Sequence, residues 1–217
     1  MIITRADRSL AGNDMSMFYS SNGVDALISP YLPEIGYAAE VGANDGVSGS
    51  NAKHFEDKGW TVVCVEPNPR LAEIGRKNRK LWREVACGSV QAKGVPFTIV
   101  WNYPWGSFSG FHTHEVPSNL NAPDFKGQDV VTVNMDTLNH ILEDCKFPRL
   151  DLLTIDVEGH ELEVLKGIDL DRWRPKIIVA EAWDKKARDS ITEHLVPYSY
   201  VLDQVREYDC CYGRRIA

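Results

Sequence analysis

Residues 37–46 read YAAEVGANDG and residues 61–68 read TVVCVEPN. Each is a short run rich in Val and Ala that ends on an acid and a turn. Tyr37 to Val41 and Thr61 to Val65 are too short for helices and too evenly apolar for strands with one wet face, which predicts strands covered on both sides. The turns point the same way. Gly42 and Gly46 let the backbone bend tightly and approach a ligand. Asn68 before Pro69 is an N-cap followed by proline at the first helical position. Two strands ending in such turns begin an open, mostly parallel α/β sheet, whose ligands bind outside the carboxyl ends of the strands.

Working outward, the alternation continues. Glu84 to Cys87 ends a weaker third run, and Leu152 to Ile155 and Ile177 to Ala180 are the fourth and fifth. Gly167 caps a helix over Glu161 to Lys166, and Ser190 with Glu193 has capping-box spacing. Tyr200 to Tyr212 predicts a closing hairpin, hence an antiparallel edge. Val95 to Trp101 and Val130 to Val133 predict strands flanking a long aromatic loop, so that 94–134 is an insertion suited to a substrate lid. Residues 1–35 are read as a helical lead-in. No repeat or low-complexity linker interrupts the chain, which predicts one domain over 1–217.

Composition narrows the function. Lys and Arg total 24 against 31 Asp and Glu, a net charge of −7. That balance repels phosphate and disfavours nucleic acid as a partner. With 43% hydrophobic and 25% charged residues, the chain is not disordered. Five cysteines, with Cys210 and Cys211 adjacent and no metal-site spacing, predict reduced thiols and a cytoplasmic setting. Arg5, Asp7 and Arg8 interrupt the start before an apolar segment forms, so no signal peptide is expected. The longest stretch without Asp, Glu, Lys or Arg, 94–114, is broken by Pro96, Pro104, Gly106 and Gly110, so no membrane span is expected.

Ionisable groups gather at strand ends. The turn Glu40-Val41-Gly42-Ala43-Asn44-Asp45-Gly46 lacks the dinucleotide fingerprint, since Asn44 and Val47 stand where glycines are needed. A carboxylate before the first glycine disfavours pyrophosphate and suits a ligand with an amino group. Glu66 lies twenty residues past Gly46, the spacing at which an acid receives the hydroxyls of an adenosine ribose; a solvated strand-end glutamate is the alternative. Asp156, Glu158 and His160 follow the fourth strand, and Glu181 ends the fifth. This resembles a catalytic loop more than a core, although His160 by itself also suits a helix start. Asp156, Glu158 and Glu181 can alternatively hold Mg²⁺ through oxygen ligands. In the insertion, Trp101, Tyr103, Trp105, Phe108 and Phe111 can stack on a sugar ring, shield a sulfonium cation, or simply form a small hydrophobic cluster. His112 and His114 lack a third ligand for a transition metal.

Together these stretches resemble the FkbM-type family of S-adenosylmethionine-dependent methyltransferases. The resemblance is carried by EVGANDGVSGSNAKHFEDKGWTVVCVEPNP (40–69), VVTVNMDTLNHIL (130–142), DLLTIDVEGHELEVLKG (151–167) and PKIIVAEAW (175–183). It implies a Rossmann-like α/β fold, a seven-stranded, mostly parallel sheet with helices on both faces and an antiparallel last strand. It also implies methyl transfer, usually to an oxygen of a sugar or secondary metabolite, so the expected partner is a small hydroxyl acceptor. On this resemblance Glu40, Gly42, Ala43, Asn44, Asp45 and Gly46 hold the methionine end of the cofactor, with Ser50 beside them. Glu66 takes the ribose, Pro67 and Asn68 lie near the adenine, and Ala86 and Cys87 touch its side. Asp156 and Glu158 sit beside the transferable methyl.

For the chemistry, His160 is expected to take the hydroxyl proton, oriented by Asp156 or Glu158. The competing expectation is that Asp156 and Glu181 bind Mg²⁺, which lowers the acceptor's pKa. Alternatives in other classes are a nitrogen or macromolecular acceptor, a non-catalytic cofactor-binding domain and a nicotinamide oxidoreductase.

Overall fold

A computed structural model describes residues 17–102, 109–111 and 125–215. The lead-in folds as α1 (Val24–Ile28) and a 3-10 turn (Ser29–Tyr31). There follow β1 (Tyr37–Val41), α2 (Lys53–Asp57), β2 (Thr61–Val65), α3 (Pro69–Asn78), β3 (Leu81–Arg83) and β4 (Ala86–Cys87). The middle of the chain forms β5 (Ala92–Asn102), β6 (Phe125–Asp136), α4 (Leu138–Asp144), β7 (Leu152–Ile155) and α5 (Glu161–Lys166). The remainder is α6 (Leu170–Trp173), β8 (Ile177–Glu181), α7 (Lys185–Leu195), β9 (Tyr200–Arg206) and β10 (Asp209–Arg214).

Seven strands make one sheet in the order β3-β2-β1-β7-β8-β10-β9. Pairing is parallel from β3 across to β8, and β10 runs antiparallel to both β8 and β9. This is the α/β class with an antiparallel last strand that the sequence led us to expect. The strand order reverses between β1 and β7, so the loops after them part and leave a crevice at the carboxyl edge.

The apolar runs explain the layering. Ala39, Val41, Val63, Val65, Leu153 and Ile155 face one side, against Leu138, Leu142, Val164 and Leu165. Ala38, Val62, Cys64, Leu152 and Val179 face the other, against Val24, Ile28, Phe55 and Trp60. Strands buried on both faces need no polar alternation, and each buried Leu, Ile or Val contributes roughly 1.5–3 kcal/mol of transfer free energy.

Three expectations need correction. The third strand of the main sheet is Leu81–Arg83, paired with Val63–Val65. Ala86–Cys87 leaves that sheet and pairs with Met135–Asp136, joining β5 and β6 in a second, three-stranded sheet. The exposed Glu84, drawn to Arg76 by an ion pair, marks where the chain turns away. Second, α7 starts after Asp184, whose carboxylate accepts from the Ala187 N–H at 2.7 Å. Ser190 and Glu193 lie inside that helix; their spacing is also that of two residues on one helical face. Third, the insertion strands are longer than their apolar runs, because β5 and β6 pair antiparallel through polar positions as well.

Among the described residues, no helix is long and apolar enough to cross a membrane. All five cysteines are free thiols.

Candidate active site

The crevice opens into a cavity of about 310 Å³ at the carboxyl edge of β1, β2, β7 and β8. The turn after β1 forms its floor. Gly42 has φ +84°, and a Cβ there would stand 1.6 Å from the Asp156 carbonyl oxygen. The Asp156 N–H in turn donates to the Val41 carbonyl at 2.9 Å. The first turn and the loop after β7 therefore touch backbone to backbone, which only glycine permits. Gly42 and Ala43 also donate to the Val65 carbonyl, so three strand ends meet at one point.

Glu66 ties the next strand in. It is 6% exposed and lines the cavity. Its carboxylate accepts from the Asn44 N–H at 3.1 Å and the Asn68 N–H at 2.9 Å. Burial lifts its pKa to about 7; the two N–H groups pull it down and Asp156 pushes it up. Asn44 pays for this position with φ +51°, a left-handed conformation that asparagine tolerates.

Glu40 and Ser50 line the cavity too, but the Glu40 carboxylate is already engaged. It receives Arg79 Nη1 at 2.7 Å, the Ser50 hydroxyl at 2.7 Å and the Asn51 N–H at 2.9 Å. Arg79, 5% exposed, also donates to the Gly46 carbonyl and, through Nε, to Glu56. The sequence predicted a carboxylate waiting for an amino group; the fold supplies an internal cation 39 residues away. Asp45 and Gly46 sit behind the wall. Asp45 accepts from the N–H groups of Val47 and Ser48, closing the turn. Asn68 likewise serves as the cap of α3, accepting from the Arg70 N–H.

Acids crowd the opposite end. Asp156, Glu158 and Glu181 each bring a carboxyl oxygen within 4.8 Å of the other two. Asp156 is exposed toward the cavity, and Glu158 and Glu181 are half-buried beside it. All three carboxyls are raised, first by desolvation and then by neighbouring acids. Glu158 sits at φ +57°. The loop is held by Glu161, whose carboxylate accepts from the Val157 and Gly159 N–H groups at 3.1 and 3.0 Å. Asp209 joins through the β10–β8 register, which sets it opposite Glu181.

His160 is not on the cavity wall. It is the N-cap residue of α5, and its ring packs on Phe111, centroids 4.8 Å apart. Desolvation lowers its pKa, and the charges acting on it are Glu163 and Lys166 rather than Asp156 or Glu158. The expected pairing of base and orienting acid is thus not formed in this structure.

The remaining wall is mostly apolar: Pro67, Leu71, Ala86, Cys87, Phe97 and Phe111, with Ser109. The insertion contributes Phe97, Ser109 and Phe111, whereas Tyr103, Trp105, Phe108, His112 and His114 lie outside the described residues. Sequence reasoning missed Ser20, Ser21 and Asn22, which line the cavity, with Asn22 donating to Asp209 at 3.0 Å. It also missed Leu71, Phe97, Thr154 and Asp209. The position of Thr154, two residues before Asp156 on the same strand face, was the one available signal. Among the described residues no Lys, Arg or His lines the cavity.

The family model for the methyltransferase FkbM domain matches residues 40–209. Methyltransferase sdnD of Sordaria araneosa is 27% identical over 184 residues, covering 70% of this chain and 68% of that protein. Among solved structures, a TehB-like SAM-dependent methyltransferase from Corynebacterium glutamicum aligns with 14% identity and a TM-score of 0.48, over 95% of this chain and 91% of that one. Precorrin-6y C5,15-methyltransferase from Geobacter metallireducens aligns with 15% identity and a TM-score of 0.43, over 88% and 84%. With the family model covering most of its length, this chain belongs to the FkbM methyltransferase domain family.

Proposed function

We propose that the protein transfers the methyl group of S-adenosylmethionine to a hydroxyl oxygen on a sugar or secondary metabolite. The observation that carries this reading is the cavity's division into an apolar wall next to Glu66 and an acidic end on which, among the described residues, no cation lies. That division matches a donor with an adenosine at one end and a sulfonium and an ammonium at the other. When bound, S-adenosylmethionine supplies the electrophilic methyl carbon.

The chain's own residues do the rest. Glu66 accepts the ribose hydroxyls, in charge-assisted bonds of about 1.5–3 kcal/mol each when ionised. Pro67, Leu71, Ala86, Cys87 and Phe97 offer the adenine an apolar slot. Gly42, Ala43 and Asn44 present backbone to the methionine portion, while Glu40, Asp45, Gly46 and Asn68 hold the turns in shape from behind. Asp156 and Glu158 face the reacting centre, and an ionised carboxyl of that set takes the acceptor's proton. His160 acts by backing the Phe111 wall. In-line displacement gains most from holding oxygen and methyl carbon in register, an effect worth several kcal/mol.

Thermal denaturation with S-adenosylhomocysteine, set beside NAD, tests the donor. A ligand at one hundred times its Kd stabilises the native state by about 2.7 kcal/mol. Stabilisation by S-adenosylhomocysteine, lost in Glu66→Ala, is the expected result; stabilisation by NAD alone refutes it. Mass spectrometry of products formed from isotopically labelled donor and a metabolite pool then reads the acceptor atom, and methylated nitrogen sinks the hydroxyl assignment.

A further inference from the structure

Met17 to Asn22 precede the part of the chain that the family shares, so membership gives them no role. Yet Ser20, Ser21 and Asn22 line the cavity. They also reach two other elements. Ser21 Oγ would stand 3.0 Å from a Cβ on Gly49, in the loop after β1. Asn22 donates to Asp209 of β10, 187 positions away. The stretch is pinned chiefly by α2. His54, 1% exposed, donates through Nδ1 to the Met17 carbonyl at 3.1 Å, since a carbonyl only accepts. The Phe18 ring stacks on that imidazole, centroids 4.3 Å apart. The Tyr19 hydroxyl donates to Asp57 at 2.6 Å, and the Tyr19 and Ser20 N–H groups reach the Asp25 carboxylate. The entry to α2 is in turn bound to Glu40, which accepts from the Ala52 N–H at 3.2 Å. One helix thus places both the lead-in and the tip of β1.

A donor with an amino-acid end brings a carboxylate into a cavity where, among the described residues, no Lys, Arg or His lines the wall. Uncharged donors have to meet it. The turn after β1 has committed most of its own. The Gly42 and Ala43 N–H groups go to the Val65 carbonyl, that of Asn44 to Glu66, that of Ser48 to Asp45, that of Ser50 to the Val47 carbonyl and that of Asn51 to Glu40. The Ser48 and Ser50 hydroxyls go to Asp45 and Glu40. The lead-in differs. Among the described residues, the Ser21 hydroxyl has no protein partner, and that of Ser20 only accepts, from the Val24 N–H at 3.1 Å. Asp209, the acid that touches this wall, is answered by the side chains of Asn22 and Asn51, which reduces its repulsion of an anion.

We propose that the Ser20 and Ser21 hydroxyls bind the carboxylate of the donor's methionine portion, and that Phe18 and Tyr19 are positioning residues that hold them there. The assignment rests on the methyltransfer reading above. A hydroxyl that meets a carboxylate makes a charge-assisted bond, and its loss costs about tenfold or more in affinity. Phe18 and Tyr19 do not touch the ligand. They act by fixing the backbone that carries the two serines, through the imidazole of His54 and the carboxylate of Asp57.

Calorimetric titration of the full chain with S-adenosylhomocysteine and with its decarboxylated analogue tests this. In the double variant Ser20→Ala, Ser21→Ala, affinity for S-adenosylhomocysteine should fall about tenfold or more, while affinity for the analogue stays within about twofold. Phe18→Ala should show the same selective loss, which a merely structural role does not produce. Circular dichroism checks that the variants fold. If the double variant does not, Ser21→Ala alone decides; if Phe18→Ala does not, Tyr19→Phe, which removes only the hydroxyl on Asp57, takes its place. Unchanged affinity for S-adenosylhomocysteine in the folded serine variant, or both ligands weakened alike, overturns the proposal and leaves the donor reading standing. A loss in the Phe18 variant that strikes both ligands alike removes the positioning role. A wild type that binds neither ligand removes the donor reading, and this assignment with it.

Discussion

At Gly42 a single hydrogen atom in place of a side chain lets two loops meet. A methyl group there would overlap the Asp156 carbonyl, and the φ of +84° adds strain of about 1–3 kcal/mol for any other residue. Gly42→Ala is expected to cost roughly 3 kcal/mol or more in urea denaturation and to abolish donor binding. Glu66 gives a pH signature. Its folded pKa, about 7, lies above its ordinary value of 4.5. Below pH 4.5 the carboxyl is protonated folded or unfolded, and its contribution is fully present. Between 4.5 and 7 the unfolded chain ionises first and stability is lost. Glu66→Gln should therefore flatten the fall in Tm across that window, and an unchanged slope counts against the assignment. His160, standing behind Phe111, makes a third case. His160→Gln should keep turnover within about tenfold of wild type, whereas general-base loss typically costs 10²–10⁴-fold. Its rate profile against pH should also keep its shape.

Elements rather than single residues explain why the turn after β1 holds its form. The end of α2, the residue that caps α3, the tip of β1 and the turn after it meet at Arg79, through Glu56, Glu40 and Gly46. Removing one partner of a buried ion pair typically costs 3–5 kcal/mol. Arg79→Met should lower stability by about that much and raise the donor's Kd, as read by calorimetry at a temperature where the variant remains folded. The same scale separates what local pattern predicts well from what it predicts poorly. β1, β2, β7 and β8 were legible because strands buried on both faces are continuously apolar. β3 was misplaced because Leu81 and Trp82 are too short a signal to outweigh the apolar residues after them. The Ser190–Glu193 spacing misled because helix interiors repeat at the same interval as their caps.

For the whole molecule, charge is the governing quantity. The surplus of acids that disfavours nucleic acid is also concentrated inside the cavity, where no cation from the described chain lines the wall. An analogue of S-adenosylhomocysteine with a protonated amine in place of sulfur should therefore bind about ten- to a hundredfold tighter than the parent compound. That ratio corresponds to one charge-assisted hydrogen bond. Equal affinities in parallel titrations would show that the acidic end does not meet the donor.

The order of apolar runs, the glycine at the first turn and the acids at the strand tips were decided locally. Strand burial and special backbone angles leave marks within a few residues. Tertiary structure alone decided what those acids face. Arg79 neutralises Glu40 from 39 positions away, Asp209 reaches the cavity only because β10 inserts beside β8, and His160 turns toward Phe111 because the second sheet brings that ring to it. Such meetings depend on sheet order and on contacts between distant segments, and charge pairing across those distances has no period to read along the chain.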